Sequence, residues 1–150
     1  MNKLTKLIAE LESKIEHQTV VNTDVSQGQV GWHIEHSLLV VNMITETLKR
    51  SEPSSYKWKF NMKRVIAYTI DSFPRGRAKA PKVVTPKEYD AESLKIHVQN
   101  TRTKLTELAA LPADKYMTHP FFGDIRTKDT VKFLELHTNH HLKIINDILK

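Results

Sequence analysis

The sequence predicts an all-α protein: an up-and-down antiparallel four-helix bundle with an additional short helix and a long basic loop. Apolar residues recur at helical spacing along most of the chain, and the β-like tetrad KVVT is too short to build a sheet. A length of 150 residues with 39% hydrophobic composition suits one domain, residues 1–150, around a single core. Five helical segments in such a chain make a bundle the simplest architecture.

The first two helices differ in how much of their surface is apolar. The first carries apolar residues at a spacing of three or four with charged residues between them, namely Leu4, Leu7, Ile8, Leu11 and Ile15. This pattern predicts a surface helix with one buried side. The stretch 30–49 is apolar almost all the way round its middle, which is expected of a helix buried between others. We therefore place the second helix at the centre of the fold.

Three further helices are bounded by proline or by turn residues. The third is predicted over 56–72, before Phe73-Pro74, because proline disfavours a helical residue in front of it. The fourth spans 86–111 and ends at a proline. The loop HPFFGDIR leads into the last helix, for which Thr127 is the expected N-cap and Asp129 lies in the positive first turn.

The net charge of +6 is concentrated in one stretch. Seven basic residues and a single acid, Asp71, lie between Lys63 and Lys87, and the rest of the chain is neutral. The centre of this stretch, FPRGRAKAPKVVTP, contains proline and glycine and is predicted to be a loop. A basic loop can bind an anionic small molecule or RNA, or it can simply be solvated. Nucleic acid is not the expected partner because no aromatic residue interleaves the loop to stack bases.

Composition excludes several classes of protein. No run approaches the roughly 20 apolar residues of a membrane span, and the charged N-terminus MNKLTKLIAELESK is unlike a signal or transit peptide. A cytoplasmic protein without a membrane partner is therefore expected. The chain has no cysteine, so disulfides and thiolate metal sites are excluded. Any metal would be held by nitrogen and oxygen ligands.

Two histidines of the last helix occupy positions where core leucines would be expected. At about 100° per residue, His137 and His141 stack one turn apart in the middle of the apolar stripe, and His140 lies at its edge. The spacing H-x-x-x-H brings two ring nitrogens to one metal, whereas two core histidines would each need a separate hydrogen-bond partner. Thr138 occupies the position of the glutamate base of HEXXH enzymes, so that chemistry is not indicated.

A third ligand must come from another helix, and the second helix offers His36 and His33. We choose His36 because it faces the apolar side, whereas His33 lies further round the helix; His33 remains the alternative. Glu35 points away from His36 and is expected to be a surface acid or a partner of a ligand. The remaining histidines are expected to be exposed or in loops: His17, His97 and His119.

Several motifs together resemble a known superfamily. WHIEHSLL in the second helix, HPFFGDI in the last loop and HTNHHL in the last helix are similar to the DinB/YfiT-like superfamily of metal-dependent four-helix-bundle proteins. With PRGRAKAPKVV they resemble a branch known as a domain of unknown function, over about residues 20–150. Family members place one histidine early in the second helix and two, four apart, on the last helix around a divalent metal. The resemblance assigns these positions to His36, His137 and His141.

The resemblance implies an enzyme that acts on a small molecule. Three histidines with an open fourth position are typical of a catalytic metal site, and imidazole suits zinc or nickel, with iron as an alternative. Relatives join low-molecular-weight thiols to electrophiles, or isomerise or hydrolyse small molecules, so thiol transfer or hydrolysis is expected, in a possible homodimer. Arg75, Arg77 and Lys79 are the candidates for binding the carboxylate groups of such a thiol. The alternative is a non-catalytic helical-bundle binding protein with structural histidines and a basic partner-docking loop.

Overall fold

The protein is mostly helical, as the sequence predicts. The computed structural model describes residues 1–71, 73–75 and 80–150. Within these ranges it contains the α-helices α1 (Asn2–Glu12), α2 (Val30–Arg50), α3 (Met62–Ile70), α4 (Ala91–Ala109) and α5 (Thr127–Ile148), and the strands β1 (Tyr116–His119) and β2 (Gly123–Arg126). No helix in the described part of the chain has the length and apolar character needed to cross a membrane.

Four of the helices enclose one hydrophobic core. α2 packs against both α4 and α5, and α1 packs against the same two helices. Twelve of the 21 residues of α2 are buried, which confirms the prediction that this helix lies between others. The largest fully buried side chains come from all four helices, for example Leu4, Leu38, Leu94 and Leu134. Burial of each such side chain contributes about 1.5–3 kcal/mol, so the core fixes how the α2 and α5 faces meet.

The start of α2 depends on a close approach at Gly31. A Cβ atom added there would lie 2.5 Å from the ring of Tyr89 and 2.9 Å from the carbonyl oxygen of Gln18. The N–H of Gly31 donates to that carbonyl at 2.8 Å. The lack of a side chain therefore lets the first turn of α2 contact the segment that follows α1.

The loop before α5 contains a small sheet that the sequence analysis did not predict. β1 and β2 pair antiparallel, with Met117 opposite Ile125, and both of these side chains are buried against the helices. Gly123 has φ of 68°, a left-handed conformation that glycine adopts without steric cost. The expectation that the chain forms no sheet was therefore wrong. Each strand has only four residues, and alternation of buried and exposed residues is hard to recognise over so short a stretch.

The third helix is shorter than predicted: it begins at Met62, and the predicted start at residue 56 was wrong. Asn61 is the N-cap of α3, and its side-chain oxygen accepts the N–H of Arg64 at 2.9 Å. Tyr56 and Asn61 have extended backbone conformations, and the N–H of Lys57 donates to the carboxylate of Asp124 at 2.9 Å. The segment before α3 is thus held by the hairpin and does not extend the helix.

One apolar surface is exposed around α3. It is formed by large side chains of α3, of the extended segment before it and of the β1–β2 turn: Trp58, Phe60, Met62, Val65, Ile66, Ile70 and Phe121. Only Ala67 of α3 is buried. Exposed groups of this kind are typical of contact surfaces in soluble proteins.

Capping explains where α4 begins, whereas α5 begins without a side-chain cap. α4 starts at Ala91 and not at residue 86, because Asp90 and Ser93 form a reciprocal capping box. Thr127 is the first residue of α5, so its predicted role as N-cap was wrong; Arg126 is the N-cap. The Thr127 hydroxyl donates instead to the carbonyl oxygen of Pro112 at 2.8 Å. Asp129 does lie in the first turn of α5, as expected.

Candidate metal centre

Three histidines from two helices meet in the core: His36 of α2, and His137 and His141 of α5. Each offers one ring nitrogen, and these atoms all lie within 4.8 Å of one another. The ring centroids form a nearly equilateral triangle, with separations of 5.0 Å for His36 and His137 and 4.7 Å for the other two pairs. The structure thus brings together the three residues that the sequence selected, and this group can hold a metal ion.

The spacing of the nitrogens suits a small cation. The Nε2 atoms of His36 and His137 are 3.2 Å apart. Two nitrogens on one tetrahedral zinc, each at about 2.0–2.1 Å from the metal, would lie about 3.3 Å apart. The same 3.2 Å also allows a hydrogen bond in which His137 Nε2–H donates to His36 Nε2. The same separation of the two rings therefore suits either a bound cation or a hydrogen bond between them.

A carbonyl group fixes the orientation of the His36 ring. His36 Nδ1–H donates to the carbonyl oxygen of Val84 at 2.7 Å. Because a carbonyl can only accept, the proton of the neutral ring sits on Nδ1 and the Nε2 lone pair faces the other two histidines. Val84 is 2% exposed and lies in a short 3-10 turn, Lys82–Val84, formed by the β-like tetrad. The end of the basic loop thereby positions a candidate ligand.

The alternative histidine, His33, touches the site from outside the triad. Its Nδ1 atom lies 2.9 Å from Nδ1 of His141, and it is not part of the group whose nitrogens converge. His33 is 4% exposed, and its Nε2 atom lies 2.9 Å from the hydroxyl of Ser26. His33, the alternative ligand on α2, is therefore a hydrogen-bond partner of His141 in the structure.

Burial keeps the triad in the neutral form that a metal requires. Burial is the main cause that lowers the pKa of His36, although the Val84 carbonyl opposes it. Burial, followed by the neighbouring histidines, lowers the pKa values of His137 and His141 well below the usual range. Protonated rings at these positions would repel one another in a poorly solvated site. All three are therefore neutral at pH 7 and can donate a lone pair.

His137 is the least satisfied member of the triad. Its Nδ1 atom is buried without a hydrogen-bond partner among the described residues, whereas its Nε2 atom contacts His36. Leaving a buried polar nitrogen unpaired costs about 1–3 kcal/mol. His137 as a residue is half-buried, whereas His36 and His141 are buried.

Aromatic rings surround the triad. Trp32 stacks on His36 with ring centroids 5.0 Å apart, and Phe133 lies 5.8 Å from His137. His119 of β1 stacks on Phe122 at 4.6 Å, and burial lowers the pKa of His119 to about 4. The hairpin therefore packs His119 and Phe122 against Phe133, which in turn contacts His137.

Two expectations about the other histidines were wrong. His119 is half-buried in a strand, and His97 is half-buried on α4, where Nδ1–H donates to the carboxylate of Glu35 at 2.8 Å. Glu35 thus binds a histidine outside the triad. His17 is exposed, as predicted.

The predicted anion-binding residues are only partly described. Arg75 is exposed, and its guanidinium lies 2.8 Å from the carboxylate of Asp147 on α5. Burial is the main cause that lowers the pKa of His140, the residue before His141, and the charge of Arg75 is the next cause. Arg77 and Lys79 lie outside the described residues.

Comparison with family models, with curated proteins and with solved structures finds no match to this chain. The resemblance to the DinB/YfiT-like superfamily therefore rests on the quoted motifs alone.

Proposed function

We propose that the protein is a metal-dependent enzyme that acts on a small molecule, by thiol transfer or by hydrolysis, in a DinB/YfiT-like up-and-down antiparallel four-helix bundle. His36, His137 and His141 would hold a divalent transition metal. The observation that carries the proposal is the convergence of three neutral ring nitrogens within 4.8 Å in the core. Zinc and nickel suit this all-imidazole donor set, and iron is the alternative.

The number of ligands favours catalysis over a structural role. Structural zinc sites are usually closed by four protein ligands, whereas catalytic sites keep a position for water or substrate. The described residues supply three converging donors, and the partly exposed His137 marks the side from which a substrate can approach. A bound divalent metal would supply the Lewis acidity that favours loss of a proton from water or from a thiol.

The chain itself contributes orientation and shielding. The Val84 carbonyl holds His36 with its lone pair directed inward. Phe133 covers His137 and is backed by the hairpin ring of Phe122, so one side of the site is apolar. Charges interact more strongly in such a poorly solvated place. These features suit a reaction in which a nucleophile must be kept deprotonated at neutral pH.

Arg75 is the described residue best placed to bind an anionic group of the substrate. It is exposed and pairs with Asp147, which lies six residues beyond His141 on α5, and this ion pair would have to be exchanged for the substrate. If so, Arg75→Ala raises KM for an anionic substrate. Arg102→Ala is the matched control because Arg102 forms a similar ion pair with Glu12 at 2.6 Å on another part of the surface.

A second candidate is a non-catalytic binding protein with structural histidines. It is favoured by the hydrogen bonds that already engage two triad residues within the protein: His36 Nδ1–H donates to the Val84 carbonyl, and His141 contacts His33. In that case the basic loop would serve to dock a partner.

Elemental analysis of untagged protein, purified without chelator, separates the two candidates. We expect about one equivalent of a transition metal, which is lost in the double variant His137→Ala/His141→Ala. His97→Ala is the control, because it removes a half-buried histidine that lies outside the triad. If the wild type takes up no zinc or nickel even after reconstitution, the enzyme proposal is wrong and the binding protein is favoured. If metal is present, thiol transfer and hydrolysis are the activities to assay.

A further inference from the structure

His33 is the buried polar side chain nearest to the triad that the proposed function does not use. Both of its ring nitrogens are engaged: Nδ1 lies 2.9 Å from Nδ1 of His141, and Nε2 lies 2.9 Å from Oγ of Ser26. Ser26 precedes α2, and its Oγ also accepts the N–H of Gly28 at 3.1 Å. His141, His33 and Ser26 thus form a continuous chain of hydrogen bonds from the triad to the turn before α2.

Only two proton arrangements satisfy this chain when both rings are neutral. In the first, His141 Nδ1–H donates to His33 Nδ1, and His33 Nε2–H donates to Ser26. In the second, the Ser26 hydroxyl donates to His33 Nε2, and His33 Nδ1–H donates to His141 Nδ1. A neutral imidazole has one donor and one acceptor nitrogen, so the two contacts of His33 are linked.

The two proton arrangements differ in whether His141 keeps a free lone pair that can bind a cation in the triad. In the second, the proton of His141 sits on Nε2 and its Nδ1 lone pair is used, so the ring has no lone pair left for a cation. In the first, Nδ1 holds the proton and the Nε2 lone pair is free. We propose that the Ser26–His33 chain holds His141 in the tautomer that binds metal through Nε2, which makes His33 a positioning residue of the metal centre. This inference rests on the proposed function.

The contrast with His36 shows why a histidine at this position matters. His36 is held by a carbonyl, which can only accept, so its tautomer is fixed with or without a cation. His33 holds His141 by accepting its Nδ1–H, while its own Nε2–H donates to Ser26, so both rings stay satisfied in the metal-binding arrangement. The tautomer of His36 is thus fixed by a backbone carbonyl, whereas the tautomer of His141 depends on the side chain of His33. Such partners of metal-binding histidines commonly set ring orientation and ligand basicity.

Two substitutions of His33 separate positioning from packing. His33→Leu fills the space but removes the acceptor for His141 Nδ1–H, and we expect zinc affinity to fall by about 10- to 100-fold. His33→Asn places its side-chain oxygen near the position of Nδ1 and restores an acceptor, so its zinc affinity is expected to lie closer to the wild type than that of His33→Leu. The affinities are measured by competition with a chromophoric zinc chelator. His97→Leu is the matched control and is expected to bind zinc as tightly as the wild type.

Two further measurements keep the proposal testable if His33→Leu does not fold. Ser26→Ala alters only the outer end of the chain, in a turn, and is expected to weaken zinc binding less than His33→Leu does. Nitrogen-15 NMR of the zinc-loaded wild type should show the His141 proton on Nδ1. The absorption spectrum of the cobalt-substituted protein should change in His33→Leu and stay unchanged in His97→Leu.

The outcomes distinguish this inference from the proposed function. If the wild type binds no metal, both are overturned. If the wild type binds zinc and His33→Leu binds it equally tightly, or if NMR finds no proton on His141 Nδ1, only the positioning role is wrong. A stronger loss in His33→Asn than in His33→Leu would also overturn it, because restoring the acceptor should restore affinity.

Discussion

Acidification is expected to unfold the metal-free protein well above pH 4, because buried neutral histidines must take up protons. Burial is the main cause that lowers the pKa of His33 from 6.5 to about 4. The unfolded chain then binds more protons than the folded protein between these two values, so stability falls as the pH is lowered through this window. A shift of about 2.5 pH units corresponds to about 3 kcal/mol for this one residue.

Several other buried histidines also lower the stability of the folded protein as the pH falls. Burial lowers the pKa of His119 to about 4, and it lowers the pKa values of all three triad residues. Domains are usually stable by only about 5–15 kcal/mol, so a few such groups together are enough to unfold the protein. Above about pH 6.5 these residues are neutral in both states and contribute no pH dependence.

The assay is urea unfolding at intervals from pH 7.5 to 4.5 after treatment with a chelator. Each proton taken up on unfolding contributes a slope of about 1.4 kcal/mol per pH unit. We expect the slope to exceed that of a single group between pH 6 and 5, and to decrease by about one group in His33→Leu. His17→Leu is the control because His17 is exposed. A free energy of unfolding that stays constant from pH 6.5 to 4.5 would refute the reasoning.

Three other perturbations test the metal centre and the fold. Zinc at about 100 times its dissociation constant should stabilise the wild type by about 2.7 kcal/mol, a rise in Tm of about 5–10 °C by scanning calorimetry, and should leave the double variant of the α5 histidines unchanged. Gly31→Ala should cost about 1–3 kcal/mol in urea unfolding, because the added Cβ would lie 2.5 Å from the Tyr89 ring and 2.9 Å from the Gln18 carbonyl. Asp90→Ala should cost about 1 kcal/mol in the same assay by removing the acceptor for the Ser93 N–H, and Asp90→Asn should cost less.

Much of the candidate site could be predicted from the sequence because its key spacing is local. Residues four apart on a helix share a face, so the pair His137 and His141 within an apolar stripe predicts two rings pointing into the core. The apolar surface of the second helix likewise predicts its burial and directs His36 inward. Without cysteine, these nitrogens were the expected donors.

The parts that could not be predicted depend on contacts between distant segments. Asn61 caps α3 while the residues before it bind the hairpin, and local propensity alone favoured a longer helix. The hairpin itself is stabilised by burial of Met117 and Ile125 against the helices, which a four-residue pattern does not reveal. Thr127 binds a carbonyl that the turn after α4 brings within reach.

The sequence by itself therefore determined the helical class, the stripe that carries two candidate ligands and a donor set without thiolate sulfur. Only the tertiary structure decided which groups hold those ligands. His36 is bound by a carbonyl 48 positions away, and His141 contacts a histidine 108 positions away. Helical periodicity specifies the direction of a side chain from its own helix, but a hydrogen-bond partner from another segment is specified only by how the whole core packs.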